Sequence, residues 1–348
     1  MEETVGDCRI AVIGATGAVG QVFLRIIEER KFPAGSLRLC ASKRSVGKSL
    51  TVNGRELTVE EVTPQLLSEV DIAFISASGD VSREIAPLAV EQGALVIDDS
   101  SAFRMEPGVP LVVPEVNGDD LAEHRGIVSI PNCSTTPLVM VLKPLHEINP
   151  VRRVVVDTYQ SVSGTGAAAV EELRVQSKQL LEGRKVEPSQ YPHQIGFNAL
   201  PHIEPFQENG YTREEMKMLH ETRKILHAPE IEVSATCVRV PVMVSHSEAV
   251  HVEFTNPIEP SMVRDILSSF PGITVLDEPA SNVYPMPVEA AGEDDVFVGR
   301  IRRDISHPSG IAMWIVSDNL RKGAALNAIQ IAEEVLSRGL LLAPGGRV

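Results

Sequence analysis

An apolar run, Arg9-Ile10-Ala11-Val12-Ile13, passes directly into Gly14-Ala15-Thr16-Gly17-Ala18-Val19-Gly20, after which Val22, Phe23, Ile26 and Ile27 recur at helical spacing. Strand, glycine turn and helix in that order open a βαβ unit, and no other feature constrains the fold as tightly. The spacing is GxxGxxG rather than GxGxxG, and glycine turns between strand and helix also serve packing. Position strengthens the case: at the mouth of the helix that follows the first strand, free N–H groups meet a pyrophosphate. Gly14, Thr16, Gly17, Ala18 and Val19 are the candidate contacts.

Leu37–Ala41, Ile72–Ser76, Leu95–Ile97 and Ile127–Ile130 continue as short apolar strands separated by helical or turn segments. A mostly parallel sheet with helices on both faces is therefore expected, an α/β, Rossmann-like arrangement. Beyond about residue 132 the texture changes. Val151–Gln160, Ile231–Val242, Ala249–Phe254, Val296–Ile301 and Ile311–Val316 are β-rich, with helices expected at Gly166–Leu181 and Thr212–Leu226, which points to an α+β domain on a largely antiparallel sheet. An amphipathic segment, Lys322–Arg338, is expected to return to the first domain. The expected division is a dinucleotide-binding domain at 1–132, completed by a C-terminal helix within 319–348, and a second domain at 133–318.

A chain of 348 residues has room for two cores. It has 43% hydrophobic residues and no window of membrane-spanning length, and its acidic start, Met1-Glu2-Glu3, lacks the pattern of a secretory leader, so a cytoplasmic protein is expected. Cys8, Cys40, Cys133 and Cys237 lie far apart with no metal-ligand spacing, which argues against a disulfide framework and against a metal site. The net charge of −15 disfavours nucleic acid and anionic membranes as partners. An anionic substrate needs a few placed Arg and Lys residues to overcome that field.

Pro131-Asn132-Cys133-Ser134-Thr135 falls where the last apolar strand gives way to a helix expected at Ser134–Glu147, with Pro137 in its opening turn. A thiol there faces free N–H groups and the positive end of the helix dipole, which favour the thiolate. A cysteine in isolation is more often a small buried hydrophobe. In a chain that begins like a dinucleotide binder, Cys133 is the candidate nucleophile of a dehydrogenase working through a thioester. The turn after the second strand, Ala41-Ser42-Lys43-Arg44-Ser45, lacks the acidic residue that takes the ribose hydroxyls of NAD. Ser42, Arg44 and Ser45 suit a 2′-phosphate, hence NADP, unless the turn is a solvated basic loop. Ser76, Ser78 and Gly79 fall where such domains line the cofactor groove.

These segments together resemble the aspartate-β-semialdehyde dehydrogenase family, in its bacterial branch, along nearly the whole chain. The matching pieces are GATGAVG at 14–20, ASKRSVGK at 41–48, SSAFRM at 100–105, VPEVN at 113–117, PNCSTTP at 131–137, YQSVSGTG at 159–166, ENGYTREEMKMLHETRKIL at 208–226, VRVPVMVSHSEAV at 238–250 and VGRIRRD at 298–304. The resemblance implies NADPH-dependent reduction of 4-phospho-L-aspartate to L-aspartate 4-semialdehyde and phosphate, on the route to diaminopimelate, lysine, threonine and methionine. It also implies a homodimer, or a homotetramer, with a catalytic and dimerisation function for the second domain.

Residue roles follow from the same resemblance. Cys133 is the nucleophile and His246 the acid/base group, although a strand histidine by itself reads as structural. Arg239 interrupts an apolar run and needs an anionic partner if buried; the resemblance makes that partner the substrate carboxylate. Glu214 and Lys217, three apart on one helix face, read alone as a surface ion pair. The family match gives them the substrate ammonium and phosphate. Arg104 is the second phosphate cation, Asn132 a polar contact beside the nucleophile, and Gln160 the amide that orients the acyl group. Ser163, Gly164 and Asn319 match segments near the nicotinamide. N-acetyl-γ-glutamyl-phosphate reductase shares the plan and the cysteine, but its blocked amine has no charge for Glu214 to meet. A non-catalytic relative is expected to lose the thiol or the histidine.

Overall fold

Strand β1 (Cys8–Ile13) is buried everywhere except at Arg9, as a strand flanked on both sides must be. Its neighbours are β2 (Ala34–Cys40) and, on the other side, β5 (Ile72–Ile75), both parallel to it. With β3 (Ser49–Val52), β4 (Arg55–Glu60), β6 (Leu95–Asp98) and β7 (Ile127–Ser129) they form a seven-stranded sheet in the order β3-β4-β2-β1-β5-β6-β7, parallel except for the β3–β4 hairpin. The chain winds outward from β1 to β2 and then crosses back to β5. The crevice at the C-terminal ends of β1 and β5 is thus the topological switch point, where open α/β sheets bind ligands. This computed structural model describes residues 8–341. The start Met1-Glu2-Glu3 and the 342–348 end of the expected C-terminal segment lie outside them.

Helices α1 (Ala18–Glu29), α2 (Pro64–Ser68), α3 (Gly79–Glu91) and α4 (Pro114–Asn117) connect these strands. The C-terminal helix, Leu326–Ser337, packs against α1, where Arg30 and Glu333 pair at 2.6 Å. Periodicity alone predicts a single α-helix from Lys322; the segment begins instead as a π-helical turn, Arg321–Ala325. Two compact units result: the residues up to Pro131 with those from Ala324 onward, and Asn132–Gly323. The sequence texture places these crossings after 132 and before 319.

The second unit is built on β8 (Val151–Gln160), β9 (Glu232–Arg239), β10 (His246–Phe254), β11 (Ile273–Val275), β12 (Val296–Arg303) and β13 (Gly310–Ser317), in the order β11-β12-β13-β10-β8-β9. The three inner pairings are antiparallel and the two outermost parallel. Helices α5 (Thr135–Ile148), α6 (Ala167–Leu181), α7 (Arg213–Ile225), α8 (Pro260–Ser268) and α9 (Pro287–Ala290) complete it. Strong alternation of burial along β8 and β10 fits a sheet with one face covered, and α5, α7 and α8 lie on it. Two strand ends fix the positions of candidate residues. β9 stops at Arg239, just before Pro241, which has no N–H to extend a ladder. β10 starts at His246 rather than at the expected Ala249, which brings the histidine into the sheet.

Candidate active site

Register assembles the site. On β8 and β9 Gln160 faces Arg239, on β10 and β13 His246 faces Ser317, and the pairing of Ser247 with Tyr159 sets His246 beside Gln160. Side chains directly opposite on neighbouring strands share a face. One cross-strand row at the end of the sheet therefore carries Ser317, His246, Gln160 and Arg239. A cleft of about 700 Å³ opens next to it, lined among others by Asn132, Cys133, Gln160, Gly164, Tyr191, Glu204, Glu214, Lys217 and Arg239.

Helix α7 supplies the acidic hub. Thr212 and Glu215 form a capping box, in which Thr212 Oγ1 accepts the Glu215 N–H (3.3 Å) and Glu215 Oε2 accepts the Thr212 N–H (2.7 Å). Glu215 Oε1 also accepts the backbone N–H of Cys237 (3.0 Å), tying the helix start to β9. Glu214 is thereby fixed in the first turn, where the helix dipole favours a carboxylate. Its Oε1 accepts from Asn132 Nδ2 (2.8 Å) and Gln160 Nε2 (3.0 Å), and its Oε2 from Lys217 Nζ (3.0 Å). Burial alone raises the Glu214 carboxyl, but Lys217 and the three hydrogen bonds outweigh it and bring the pKa down to about 2. Lys217 also meets Glu204 at 2.6 Å.

Cys133 lies one residue before Ser134, the N-cap of α5, and its Sγ–H donates to Asn132 Oδ1 (3.6 Å). Asn132 is held at three further points: its N–H donates to Glu221 Oε2 (2.7 Å), its side-chain amide to Glu214, and its carbonyl oxygen accepts the Thr136 N–H (3.0 Å). All four cysteines are free thiols, and Cys133 alone is not buried.

Arg239 is buried, donates from Nη1 to the Ser161 carbonyl oxygen (2.6 Å) and stands over the Tyr191 ring. His246 is buried too. Its Nδ1 accepts the Ser161 N–H (3.0 Å) and lies 3.1 Å from Ser161 Oγ, while Nε2 has no hydrogen-bond partner. Burial, and then the Arg239 charge, push its pKa down to about 3 against the opposing pull of Glu214. Gly164 packs on both groups: a Cβ there would come within 3.1 Å of Arg239 Nη1 and 3.3 Å of His246 Nε2. Gly164→Ala is expected to lower kcat/KM about 10- to 100-fold, with the melting temperature little changed, because small displacements of reacting groups are costly. Steady-state kinetics beside a thermal melt checks this.

Of the other residues assigned from sequence, Ser163 and Asn319 lie behind His246, joined by a hydrogen bond from Ser163 Oγ to Asn319 Oδ1 (3.0 Å). Arg104 is buried in the first unit and donates to the Asp99 carbonyl oxygen (2.9 Å). Glu204, Glu221 and Ser161 were not among the candidates. Glu221 had a signal: at seven residues from Glu214 it shares that face of α7. Glu204 had none, and Ser161, although it sits between the candidates Gln160 and Ser163, meets His246 across 85 residues that no local spacing records.

The glycine loop of the first unit accepts a dinucleotide on its own geometry. Gly14 has φ +95°, and a Cβ on it would meet the Ser76 carbonyl oxygen at 2.0 Å, so the loops after β1 and β5 touch at the switch point. Gly17 caps α1 without a side-chain bond, leaving no side chain in front of the first turn, which Ala18 and Val19 begin. Thr16 Oγ1 reaches Ser45 Oγ (3.4 Å), joining the glycine loop to the turn that carries Ser42 and the exposed Arg44. Ser76 Oγ donates to Asp99 Oδ2 (3.0 Å); Ser78 is the N-cap and Gly79 the first residue of α3. Gly14→Ala is expected to destabilise the fold by about 2–4 kcal/mol and abolish dinucleotide binding, checked by chemical melts and fluorescence titration.

Residues 9–124 match the family model described as "Semialdehyde dehydrogenase, NAD binding domain", and residues 142–322 match "Semialdehyde dehydrogenase, dimerisation domain". With the fold and the thiol-bearing cleft, they define the class: an oxidoreductase of the semialdehyde dehydrogenase type that uses a nicotinamide dinucleotide. Among relatives, the aspartate-semialdehyde dehydrogenase of Aquifex aeolicus is 52% identical over 337 residues, covering 96% of this chain and 99% of that one. That of Bacillus subtilis is 48% identical, covering 95% and 98%. The crystal structure of aspartate semialdehyde dehydrogenase II from Vibrio cholerae, complexed with ASA, superposes with a TM-score of 0.92 at 47% identity over 95% of this chain and 98% of that one. The Candida albicans enzyme with NADP gives 0.75 at 28% identity over 96% and 100%. The chain belongs to the aspartate-semialdehyde dehydrogenase family. Among the described residues no helix is long and apolar enough to cross a membrane.

Proposed function

We propose that this chain reduces 4-phospho-L-aspartate to L-aspartate 4-semialdehyde and phosphate with NADPH, through a thioester on Cys133, as a cytoplasmic homodimer. The observation that carries this reading is the convergence on one cleft of the accessible Cys133 with Arg239, Lys217 and Glu214. A substrate with an α-carboxylate, an α-ammonium and a phosphate needs two cationic positions and one anionic position, and these residues are its complement.

Arg239 offers its guanidinium fork to the carboxylate, Glu214 its ionised carboxylate to the ammonium, and Lys217 its ammonium to the phosphate. Cys133 attacks the acyl carbon; the C–O bond to phosphate breaks as the S–C bond forms, and the amides of Asn132 and Gln160 hold the acyl group in line. The nicotinamide cofactor, when bound, supplies the hydride that takes the acyl carbon to the aldehyde level. His246 serves the reacting oxygen with its Nε2, and return of the electron pair to sulfur restores Cys133. Gly14, Thr16, Gly17, Ala18 and Val19 are the residues that would hold the pyrophosphate, and Ser42, Arg44 and Ser45 the 2′-phosphate that distinguishes NADP from NAD.

The test mixes the protein with NADP, aspartate semialdehyde and phosphate and follows NADPH by absorbance. Phosphate-dependent reduction is the expected result; reduction indifferent to phosphate, or none, overturns the reading. A parallel run with NAD is expected to lose at least tenfold in kcat/KM, about 1.4 kcal/mol.

A further inference from the structure

Lys217 faces two carboxylates across the cleft wall. Glu214 Oε2 lies 3.0 Å from its Nζ and Glu204 Oε1 lies 2.6 Å away. Glu214 is buried and is also held by Asn132 and Gln160, whereas the Glu204 side chain is about one third exposed. The Glu204 backbone sits at φ +62°, in the left-handed region that glutamate rarely adopts, and directly before Pro205, a position that favours extended conformations. The chain on both sides imposes this. Leu200 exchanges two backbone hydrogen bonds with Arg239 of β9 (2.8 and 2.9 Å), the Pro205 carbonyl oxygen accepts the Arg213 N–H at the start of α7 (2.9 Å), and the His202 and Phe206 rings stack at 4.6 Å. Such strain persists where the surroundings over-determine it, and it gathers at sites of function. A partly exposed ion pair stabilises a fold only slightly, so stability does not explain the arrangement. What the clamp achieves is to aim one carboxylate at Lys217 from a backbone tied to the elements that carry Arg239 and Glu214.

We propose that Glu204 is a positioning residue that pairs with Lys217 before the substrate binds and yields it to the phosphate group, so that Glu204 and phosphate compete for one ammonium. The inference rests on the phosphate role proposed for Lys217. A carboxylate oxygen at 2.6 Å from Nζ stands where a phosphate oxygen would stand in a charge-assisted hydrogen bond of its own. With the backbone fastened on both sides, the exchange is a rotation of the Glu204 side chain towards its exposed side. Glu214 is the poorer competitor, because two amides hold its other oxygen. When phosphate leaves the acyl carbon, Glu204 returns to Lys217, and a dianion that would otherwise stay on a mostly buried cation is displaced. The carboxylate thus keeps the affinity for inorganic phosphate low and hastens its release.

The test is Glu204→Gln in the full-length enzyme, a nearly isosteric change that removes the charge. With NADP and aspartate semialdehyde, the KM for phosphate is expected to fall about tenfold, the effect of deleting one like charge beside a dianion in a partly solvated cleft. Inhibition of the reductive direction by phosphate is expected to tighten by the same factor, while the KM for aspartate semialdehyde stays within about twofold. A phosphate KM that stays or rises overturns the proposal, a rise meaning that Glu204 only aligns Lys217. A raised KM for aspartate semialdehyde with the phosphate KM unchanged assigns Glu204 to the substrate ammonium and overturns it too. Glu204→Asp keeps the charge, and its phosphate KM is expected to lie nearer the wild-type value than that of Glu204→Gln does; the opposite order overturns the electrostatic account. A crystal structure of the wild-type enzyme with inorganic phosphate decides the matter whether or not the variants fold. The expected result is phosphate on Lys217 with the Glu204 carboxylate turned beyond ion-pair range, ~4 Å. Phosphate on Lys217 with the Glu204 pair intact overturns this inference alone, and phosphate held away from Lys217 overturns the role proposed for Lys217 as well.

Discussion

Replacing Cys133 by serine is expected to lower phosphate-dependent turnover by about ten-thousand-fold, with dinucleotide binding and melting temperature unchanged. The change swaps one atom, and the new hydroxyl can still donate to Asn132 Oδ1, so the site should keep its shape. What is lost is a nucleophile that ionises easily and a leaving group that departs easily from the tetrahedral intermediate. No other thiol can stand in. Cys8 and Cys40 are buried, with pKa values pushed up to about 12, and burial raises the Cys237 thiol further still. Stopped-flow measurement of NADPH formation checks the result. More than about one hundredth of wild-type activity in the variant would remove Cys133 from the nucleophile role.

The first unit was open to a reading of its sequence because each strand carries its own apolar run and each crossover its own turn. β1, β5, β6 and β7 emerge with ends shifted by no more than a residue. Apolar alternation did not register the β3–β4 hairpin, whose strands are exposed along much of their length. Asn53-Gly54, both at positive φ, is nevertheless a strong hairpin signal in the sequence itself. Site residues divide on a similar line. Cys133 announces itself through its neighbours, whereas Glu214, which spacing alone reads as a surface ion pair with Lys217, takes its role from the family resemblance. The environment of His246 is built from Ser161 and Asn319, 85 residues before it and 73 after it in the chain, as the strands bring them together. No local pattern encodes such a register, because it is fixed by packing along whole strands.

Glu214→Gln, nearly isosteric, is expected to reduce kcat/KM about 100- to 1,000-fold and to abolish part of the protein's acid sensitivity. The carboxylate uses both oxygens as acceptors, one for the amides of Asn132 and Gln160 and the other for Lys217. A carboxamide has a single acceptor oxygen. Either way round, its NH2 group opposes donors in a buried site, so the Asn132 side chain loses its acceptor beside Cys133 or Lys217 loses its Glu214 partner. The pH dependence follows from the shift. With a folded pKa of about 2 against the ordinary 4.5, the Glu214 carboxylate stabilises the fold fully above pH 4.5, and this contribution disappears as pH falls towards 2. Linkage makes the contribution about 3 kcal/mol. His246, depressed from 6.5 to about 3, adds a loss of the same sign that begins higher, as pH falls below 6.5, where the unfolded chain takes up a proton that the folded one refuses. Urea melts across that range should therefore separate the two groups. In Glu214→Gln the decline starting below pH 6.5 remains and the additional decline below pH 4.5 is lost. A variant that keeps wild-type kcat/KM within fivefold and the full acid profile would place the Glu214 carboxylate outside both roles.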